Sequence, residues 1–344
     1  MRIAHYFTLF FLITISAAIP LLGIARMPQE PDEAIKKLYH KLSGLPTMNM
    51  PERIKWISKQ LINKPYLLGA LGEGAQAQFD QFPLYRMDAF DCETFVDTVL
   101  AVAFSINLNS FQQCIRNIRY QSGVVSFVTR NHFTCIDWNK NNQKQYFIKD
   151  ITRQFTNKSE QKIAKIATAI IDKPSWYRHL SNQAIRIKAI QPAEAKQRLV
   201  TLQNQSKAVS SEISTIAYLP LSILFDEHGE ANMYVFKQIP QAAIIEIIRP
   251  NWDLRNQIGT ALNVSHLGFA IWEHDKLWFR QASSILGKTT DIDLITYLKQ
   301  AKKSPTIKGI NVQLVLPQQT LNRSCAMSQS YDIVSPDSDS SIEG

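Results

Sequence analysis

The amino-acid sequence predicts an α+β fold in which helices come first and an antiparallel sheet follows. Helical periodicity dominates the first 205 residues, whereas stretches rich in Ile, Val, Tyr and Phe and bounded by turn residues dominate the rest. No alternation of strand and helix is visible, which argues against a doubly wound nucleotide-binding fold. With 344 residues, 45% of them hydrophobic, the chain is long enough for one large domain or two closely packed ones.

Apolar residues recur at helical spacing in seven segments. The strongest is 91–105, where Asp91 is a good N-cap and Asp88 is an alternative one. Pro51 suits the first turn of the second segment, and Asp291 is expected to open the last. The predicted helices are 30–43, 50–63, 91–105, 109–119, 159–172, 192–205 and 291–302, and the predicted strands are 214–224, 232–237, 243–249, 264–272, 277–283 and 308–316.

Both ends of the chain differ from the predicted folded part, 26–316. Residues 1–25 combine an apolar run with small residues, which predicts a secretory signal peptide. The alternative is an uncleaved membrane anchor, although Pro20 and Gly23 interrupt the apolar run. Residues 317–344 are polar and lack periodicity, so we expect a mobile tail. The protein is therefore expected to be exported, to the periplasm or beyond the cell.

The net charge of +9 and the pI of about 9.3 favour anionic partners such as nucleic acid, acidic lipid or an acidic cell-wall polymer. The basic residues are scattered, and no helix-turn-helix, zinc-finger or Gly-rich phosphate motif is present, which disfavours nucleic acid. The sequence has no Cys-x-x-Cys and no His-Glu-x-x-His, and its histidines are dispersed. We therefore predict no metal site and no cofactor.

The sequence contains four cysteines, and the position of Cys92 distinguishes it from the others. It lies in the first turn of the strongest helix, where unpaired N–H groups and the helix dipole stabilise a thiolate. This favours a nucleophile, whereas the structural alternative is that all four cysteines form two disulfides. A bond between Cys114 and Cys135 is one pairing that leaves Cys92 free; the fourth cysteine is Cys325.

A predicted hairpin supplies a possible partner for the thiol. A two-residue turn at His274-Asp275 pairs Glu273 with Lys276 and makes Gln281 face position 268. Because side chains alternate along a strand, His266 and Gln281 then become diagonal neighbours on one face, and a register two residues tighter makes them directly opposite. In cysteine hydrolases an imidazole acts as the base and a second polar group orients it. Here His266 would be the base and the Gln281 amide the orienting group. A purely structural histidine is the alternative.

Five segments together resemble the bacterial N-acetylmuramoyl-L-alanine amidase-like proteins, a domain family of unknown function in the NlpC-type branch of papain-like cysteine peptidases. The resemblance covers most of residues 50–316. The segments are specific as a set, although each alone is weak: Pro65-Tyr-Leu-Leu-Gly-Ala-Leu-Gly-Glu-Gly74, Pro83-Leu-Tyr-Arg-Met-Asp-Ala-Phe-Asp-Cys-Glu-Thr-Phe-Val96, Arg130-Asn-His-Phe-Thr-Cys-Ile-Asp-Trp138, Ser265-His-Leu-Gly268 and Gln281-Ala-Ser-Ser284.

The resemblance implies a papain-like fold, with the nucleophile helix packed on the sheet, Cys92 as nucleophile and His266 as general base. Gln281 stands where the family usually has a third, orienting histidine. A glutamine can hold an imidazole by one hydrogen bond but cannot share its charge. A second departure is Pro240-Gln-Ala-Ala243, where the family usually has Gly-Asp after the proline.

Further residues are expected to bind substrate. The family places the segments with Tyr66, Tyr85 and Arg86 along the active-site cleft. Arg130 and Trp138, with His132 and Asp137, form a polar and aromatic cluster suited to a sugar or a peptide carboxylate. The structural alternatives are half-buried packing for Tyr66 and a salt-bridged corner for the cluster.

The sequence thus predicts an exported bacterial cysteine hydrolase that cuts an amide bond in peptidoglycan or muropeptides through a thioester. The bond is either the muramoyl–L-alanine amide or one within the stem peptide. Two alternatives stay open: a weak or inactive wall-binding relative, and a secreted acyltransferase or hydrolase with another substrate. Membrane contact is expected only through an uncleaved N-terminal segment.

Overall fold

The computed structural model describes residues 31–182, 185–187, 191–317 and 325. The predicted signal peptide and all of the tail except 317 and 325 lie outside these residues. No helix in the described part of the chain is long and apolar enough to cross a membrane. The α-helices are α1 (Pro31–Ser43), α2 (Met50–Gln60), α3 (Cys92–Ala103), α4 (Leu108–Arg119), α5 (Asn139–Lys144), α6 (Lys173–His179), α7 (Pro192–Asn204), α8 (Leu221–Leu224), α9 (Met233–Phe236), α10 (Arg255–Ile258) and α11 (Leu294–Ala301).

One antiparallel sheet completes the fold, and most of its strands, β3–β8, come after α7 in the chain, in the C-terminal part where the sequence predicts strands. Its strand order is β2-β3-β8-β4-β5-β6-β7, and β1 also pairs with β8. A mixed helical and antiparallel β architecture is therefore confirmed. The strands are β1 (Ile148–Asp150), β2 (Lys165–Ile171), β3 (Glu212–Pro220), β4 (Ile244–Leu254), β5 (Thr260–Glu273), β6 (Lys276–Ser283), β7 (Lys288–Asp293) and β8 (Gly309–Val315).

Two predicted elements are wrong, and one predicted helix is present but begins later than expected. The predicted helix 159–172 instead contains β2, because its Ile, Ala and Thr residues pair along β3 with alternate side chains buried. The predicted strand 232–237 contains one helical turn, α9, which buries the adjacent residues Val235 and Phe236 together. The last helix is capped by Asp293, whereas Asp291 lies in β7.

Helix α3 forms the centre of the main core. Asp91 caps it, since its carboxylate accepts from the Thr94 N–H at 2.8 Å and the Thr94 hydroxyl accepts from the Asp91 N–H at 3.0 Å. Every residue from Thr94 to Ala103 is buried. The core cluster around α3 contains side chains of α2, α4 and β5, so the first turn of α3 is held against the sheet.

The hairpin β5–β6 has the predicted register. His274 and Asp275 form the turn with φ values of 49° and 58°, and Glu273 pairs with Lys276. On its other side, β5 pairs with β4, and this pairing shifts between Ile247 and Ile248 and again between Ile248 and Trp252. The shifts mark bulges, which re-aim nearby side chains.

The Pro240–Ala243 segment, which departs from the family pattern, leads into β4 and forms backbone hydrogen bonds with β5. Ala242 adopts a positive φ of 61°, and its N–H donates to the Ala270 carbonyl at 2.8 Å. The Ala270 N–H in turn donates to the Ala243 carbonyl at 2.8 Å. The departure from the family pattern therefore leaves the β4–β5 pairing intact.

A disulfide joins Cys114 of α4 to Cys325, with the two Cα atoms 5.1 Å apart. The predicted pairing of Cys114 with Cys135 is wrong, because Cys114 lies in the core around α3 whereas Cys135 packs in separate clusters. The Asn117 side chain also donates to the Cys325 carbonyl at 2.8 Å. Cys92 and Cys135 are free thiols.

Candidate active site

Cys92 is the first residue of α3 and is partly exposed. The backbone N–H groups of Leu267 and Glu93 act on its sulfur and favour the thiolate. Burial, and secondarily the negative charges of Asp91 and Glu93, outweigh them and raise the pKa of the thiol above its ordinary value. The resting thiol is therefore neutral, and its use as a nucleophile requires a base beside it.

The imidazole of His266 lies on β5 and is held by Gln281 of β6. Its Nε2 forms a short hydrogen bond with the Gln281 Oε1. An amide oxygen can only accept, so Nε2 carries the proton and Nδ1 keeps its lone pair. Burial lowers the pKa of His266 to about 4, against smaller opposing effects of Gln281 and Asp91. His266 is thus a neutral imidazole at pH 7 with one basic nitrogen.

Gly268 explains how the strands place Gln281. A Cβ at this position would lie 2.6 Å from the Arg280 carbonyl oxygen and 3.0 Å from the Gln281 Cβ. The glycine therefore permits the close, diagonal approach of His266 and Gln281 that the hairpin register predicts. Gln281 is only 2% exposed, and its Nε2 has no hydrogen-bond partner among the described residues.

The structure brings Cys92, His266 and Gln281 into one neighbourhood. The Leu267 N–H that acts on the thiol belongs to the residue after His266. The charge of Asp91 acts on both the thiol and the imidazole. Asp91 is itself fixed, because its carboxylate also accepts from the Gly69 N–H at 2.8 Å.

Tyr66 lies beside this group on the segment that leads to Gly69. Its backbone pairs with Phe90, and the Leu67 N–H donates to the Phe90 carbonyl at 3.0 Å. Burial raises the pKa of the Tyr66 hydroxyl, with smaller effects from Cys92 and Asp91. The hydroxyl is therefore a protonated donor near the thiol.

The other predicted binding residues have internal partners, and none of these contacts involves Cys92, His266 or Gln281. The Tyr85 hydroxyl donates to Asp32 at 2.6 Å, and Arg86 pairs with Asp88 at 2.7 Å. Arg130 forms ion pairs with Glu73 and Asp80. Trp138 is fully buried and donates to Asp97 at 2.7 Å.

Sequence reasoning missed Tyr297 of α11. Its ring centroid lies 5.2 Å from that of Phe279, which in turn lies 5.6 Å from that of His266. Burial raises the pKa of Tyr297 to about 12, and a charge on Cys92 acts in the same direction. The apolar face of the predicted last helix was visible in the sequence, but no local signal connects it with Cys92.

No group of three or more His, Cys, Asp or Glu side chains within the described ranges is arranged to hold a metal ion.

The fold and this site define an α+β protein with a cysteine at a helix start and a histidine on the neighbouring strand, and comparison with known proteins identifies the family. A family model described as AmiA-like, N-acetylmuramoyl-L-alanine amidase-like, matches residues 56–307. The chain belongs to this family, as the sequence resemblance predicts. No curated protein matches the chain.

Solved structures with a similar fold include the following two. A protein of the DUF1460 family from Legionella pneumophila str. Philadelphia 1 is 50% identical, with a TM-score of 0.81 over 83% of this chain and 94% of its own. An N-acetylmuramoyl-L-alanine amidase from Bacteroides uniformis is 22% identical, with a TM-score of 0.54 over 77% of this chain and 98% of its own. The second likeness shows a shared fold.

Proposed function

We propose that this protein is an exported cysteine hydrolase of papain-like, NlpC-type fold that cleaves an amide bond in peptidoglycan. The observation that carries the proposal is the arrangement of Cys92 at a helix start, with its sulfur at the backbone N–H of Leu267, the residue after His266, while Gln281 holds the Nε2 of the His266 imidazole. The amidase-like family supports the substrate, since the wall contains such amide bonds. The net charge of +9 suits an acidic wall polymer.

In the proposed reaction, His266 Nδ1 takes the thiol proton as Cys92 Sγ attacks the amide carbonyl carbon. The backbone N–H of Cys92 lies in the first turn of α3, where helix N–H groups have no partner within the helix, and it stabilises the oxyanion. The imidazolium then protonates the leaving amine, and a thioester to Cys92 remains. Water, deprotonated by the same nitrogen, hydrolyses the thioester and restores the thiol.

Gln281 is proposed to position His266. By accepting from Nε2–H, its amide oxygen keeps the basic nitrogen of the ring on Nδ1. It adds no charge, so the imidazolium that forms during the reaction is stabilised by a dipole and by the nearby Asp91 carboxylate. Tyr66 is proposed to bind substrate next to the thiol. For Arg130 and Trp138, the internal contacts support the structural alternative of a salt-bridged corner. Tyr85 and Arg86 have internal partners as well, and their role in substrate binding stays a prediction.

Two features support the proposal of a periplasmic or secreted protein. The first 25 residues have the pattern of a signal peptide. The bond between Cys114 and Cys325 spans 211 residues of sequence, and such structural disulfides persist in oxidising compartments.

The test is mass spectrometry of purified peptidoglycan after digestion by the mature protein and by its Cys92→Ala variant. Cys135→Ala is the matched control, since it removes the other free thiol. If the protein is an amidase, we expect the native protein and the control, but not Cys92→Ala, to release stem peptides with a free L-Ala amine. Cut stem peptides would instead identify an endopeptidase. Equal release by Cys92→Ala would refute the cysteine mechanism. Retained wall binding without release by any form would favour a binding role.

A further inference from the structure

A second group of side chains lies on the His266 face of the sheet and is not used by the mechanism above. His266 pairs with Ile247 of β4, and Arg249 lies two residues further along β4. Since side chains alternate along a strand, Arg249 projects on the same face as His266. The guanidinium carbon of Arg249 lies 4.4 Å from the ring centroid of Trp252, and both side chains are partly exposed.

A bulge in β4 shapes this group. The pairing of β4 with β5 is interrupted between Ile248 and Trp252, and Asn251 adopts a φ of 48°. The Asn251 N–H donates to the Asn263 side chain at 3.0 Å, which fixes the bulge. Bulges next to active sites commonly re-aim side chains, and here the bulge brings Trp252 against Arg249.

Tyr297 connects this group to His266. Its ring packs against that of Phe279, which in turn packs against the ring of His266. The positive charge of Arg249 lowers the pKa of Tyr297, whereas a charge on Cys92 raises it, so the hydroxyl lies within electrostatic range of both. The Tyr297 hydroxyl forms no hydrogen bond with the described part of the chain, and it is a protonated donor at neutral pH.

A planar guanidinium backed by an aromatic ring, with a hydroxyl donor beside it, matches a carboxylate ligand. Stem peptides of peptidoglycan carry such groups near the bond to be cut: the α-carboxylate of D-Glu at the second residue and the free carboxylate of diaminopimelate at the third. We propose that Arg249, Trp252 and Tyr297 form a subsite that binds a stem-peptide carboxylate beside Cys92. This inference rests on the proposed function and adds a selectivity to it.

The experiment uses pairs of muramoyl tripeptides that differ in one charge. One pair carries D-Glu or D-isoglutamine at the second residue, and the other carries diaminopimelate or its amidated form at the third. We expect the native protein to prefer the acid member of one pair by roughly 10- to 100-fold in kcat/KM, the size of a charged hydrogen bond. The pair that shows the preference identifies which carboxylate is bound.

Arg249→Gln removes the charge, Arg249→Lys keeps it, and Tyr297→Phe removes the hydroxyl. Arg255→Gln is the matched control, since Arg255 is an exposed arginine just after β4 that pairs with Asp253. We expect Arg249→Gln to raise KM for the acid substrate about tenfold or more and to leave the amidated substrate within twofold. Arg249→Lys retains part of the preference, Tyr297→Phe reduces it, and Arg255→Gln leaves it unchanged.

The proposal is overturned if Arg249→Gln affects acid and amidated substrates equally, or if it leaves the preference of the native protein intact. In both outcomes cleavage by the native protein still supports the proposed function. If the native protein cleaves neither member, calorimetric binding of each pair to Cys92→Ala, with and without Arg249→Gln, replaces the rate measurement. Binding that does not depend on the carboxylate would then refute the subsite, and carboxylate-dependent binding lost in Arg249→Gln would support it without hydrolysis.

Discussion

Gln281→Leu is the most direct test of how the sheet prepares the base. The amide oxygen accepts the Nε2 proton of His266, and leucine fills a similar volume without an acceptor. The buried imidazole N–H would then be unpaired, and both of its tautomers would be populated. The imidazolium that forms during the reaction would also lose its hydrogen bond.

The magnitude follows from the charge on that hydrogen bond. Hydrogen bonds to charged groups contribute about 1.5–3 kcal/mol, and each 1.36 kcal/mol of barrier is a factor of ten in rate. We therefore expect kcat to fall by roughly 10- to 100-fold with little change in KM, because the amide touches the base and not the substrate. Gln281→His, which restores the residue type usual in the family, should recover part of the loss.

The assay is steady-state hydrolysis of a soluble muropeptide, with Tm measured for every variant. Gln313→Leu is the structural control, because Gln313 is also a fully buried glutamine of the sheet but binds Gln143 and Asn311. It should lower Tm without a specific loss in kcat at temperatures well below Tm. A Gln281→Leu enzyme as active as the native protein would refute the positioning role.

Three further predictions concern stability and packing. Cys114→Ser removes the bond to Cys325, which closes a loop of 211 residues. Urea unfolding should therefore show that the free energy of unfolding falls by a few kcal/mol, up to about 5, and reductant should produce the same loss in the native protein. A native protein whose stability does not change with reductant would contradict this prediction. Burial raises the pKa of Glu246 from 4.5 to about 8, so the folded protein holds a proton that the unfolded chain has lost, and the stability contributed by this group decreases as pH rises from about 4.5 to 8. Glu246→Gln should therefore raise Tm over the native protein at pH 9 and change it little at pH 4, and an equal change at both values would exclude this titration as the cause. Gly268→Ala places a methyl group 2.6 Å from the Arg280 carbonyl oxygen. We therefore expect the free energy of unfolding, measured with urea, to fall by about 1–3 kcal/mol, and kcat for hydrolysis to fall as well. A variant with native stability and rate would show that the strands can separate there.

The sequence by itself determined the features that depend on neighbours in the chain. Helix α3 follows from the Asp91 cap and the apolar repeat after it, which place Cys92 in the first turn. The β5–β6 hairpin follows from its two-residue turn, and the register of that turn puts His266 and Gln281 on one face. These are local interactions between residues a few positions apart, or pairings that one short turn imposes.

Only the tertiary structure decided the features that depend on distant segments. The residues of β2 became a strand because β3 was available to pair with them, and Cys114 bonded to Cys325 because folding brings that one residue to α4. The internal ion pairs of Arg130 and the packing of Tyr297 against Phe279, which in turn packs against His266, likewise join separate parts of the chain. Periodicity reports which face of an element is apolar, but it carries no information about which element will cover that face.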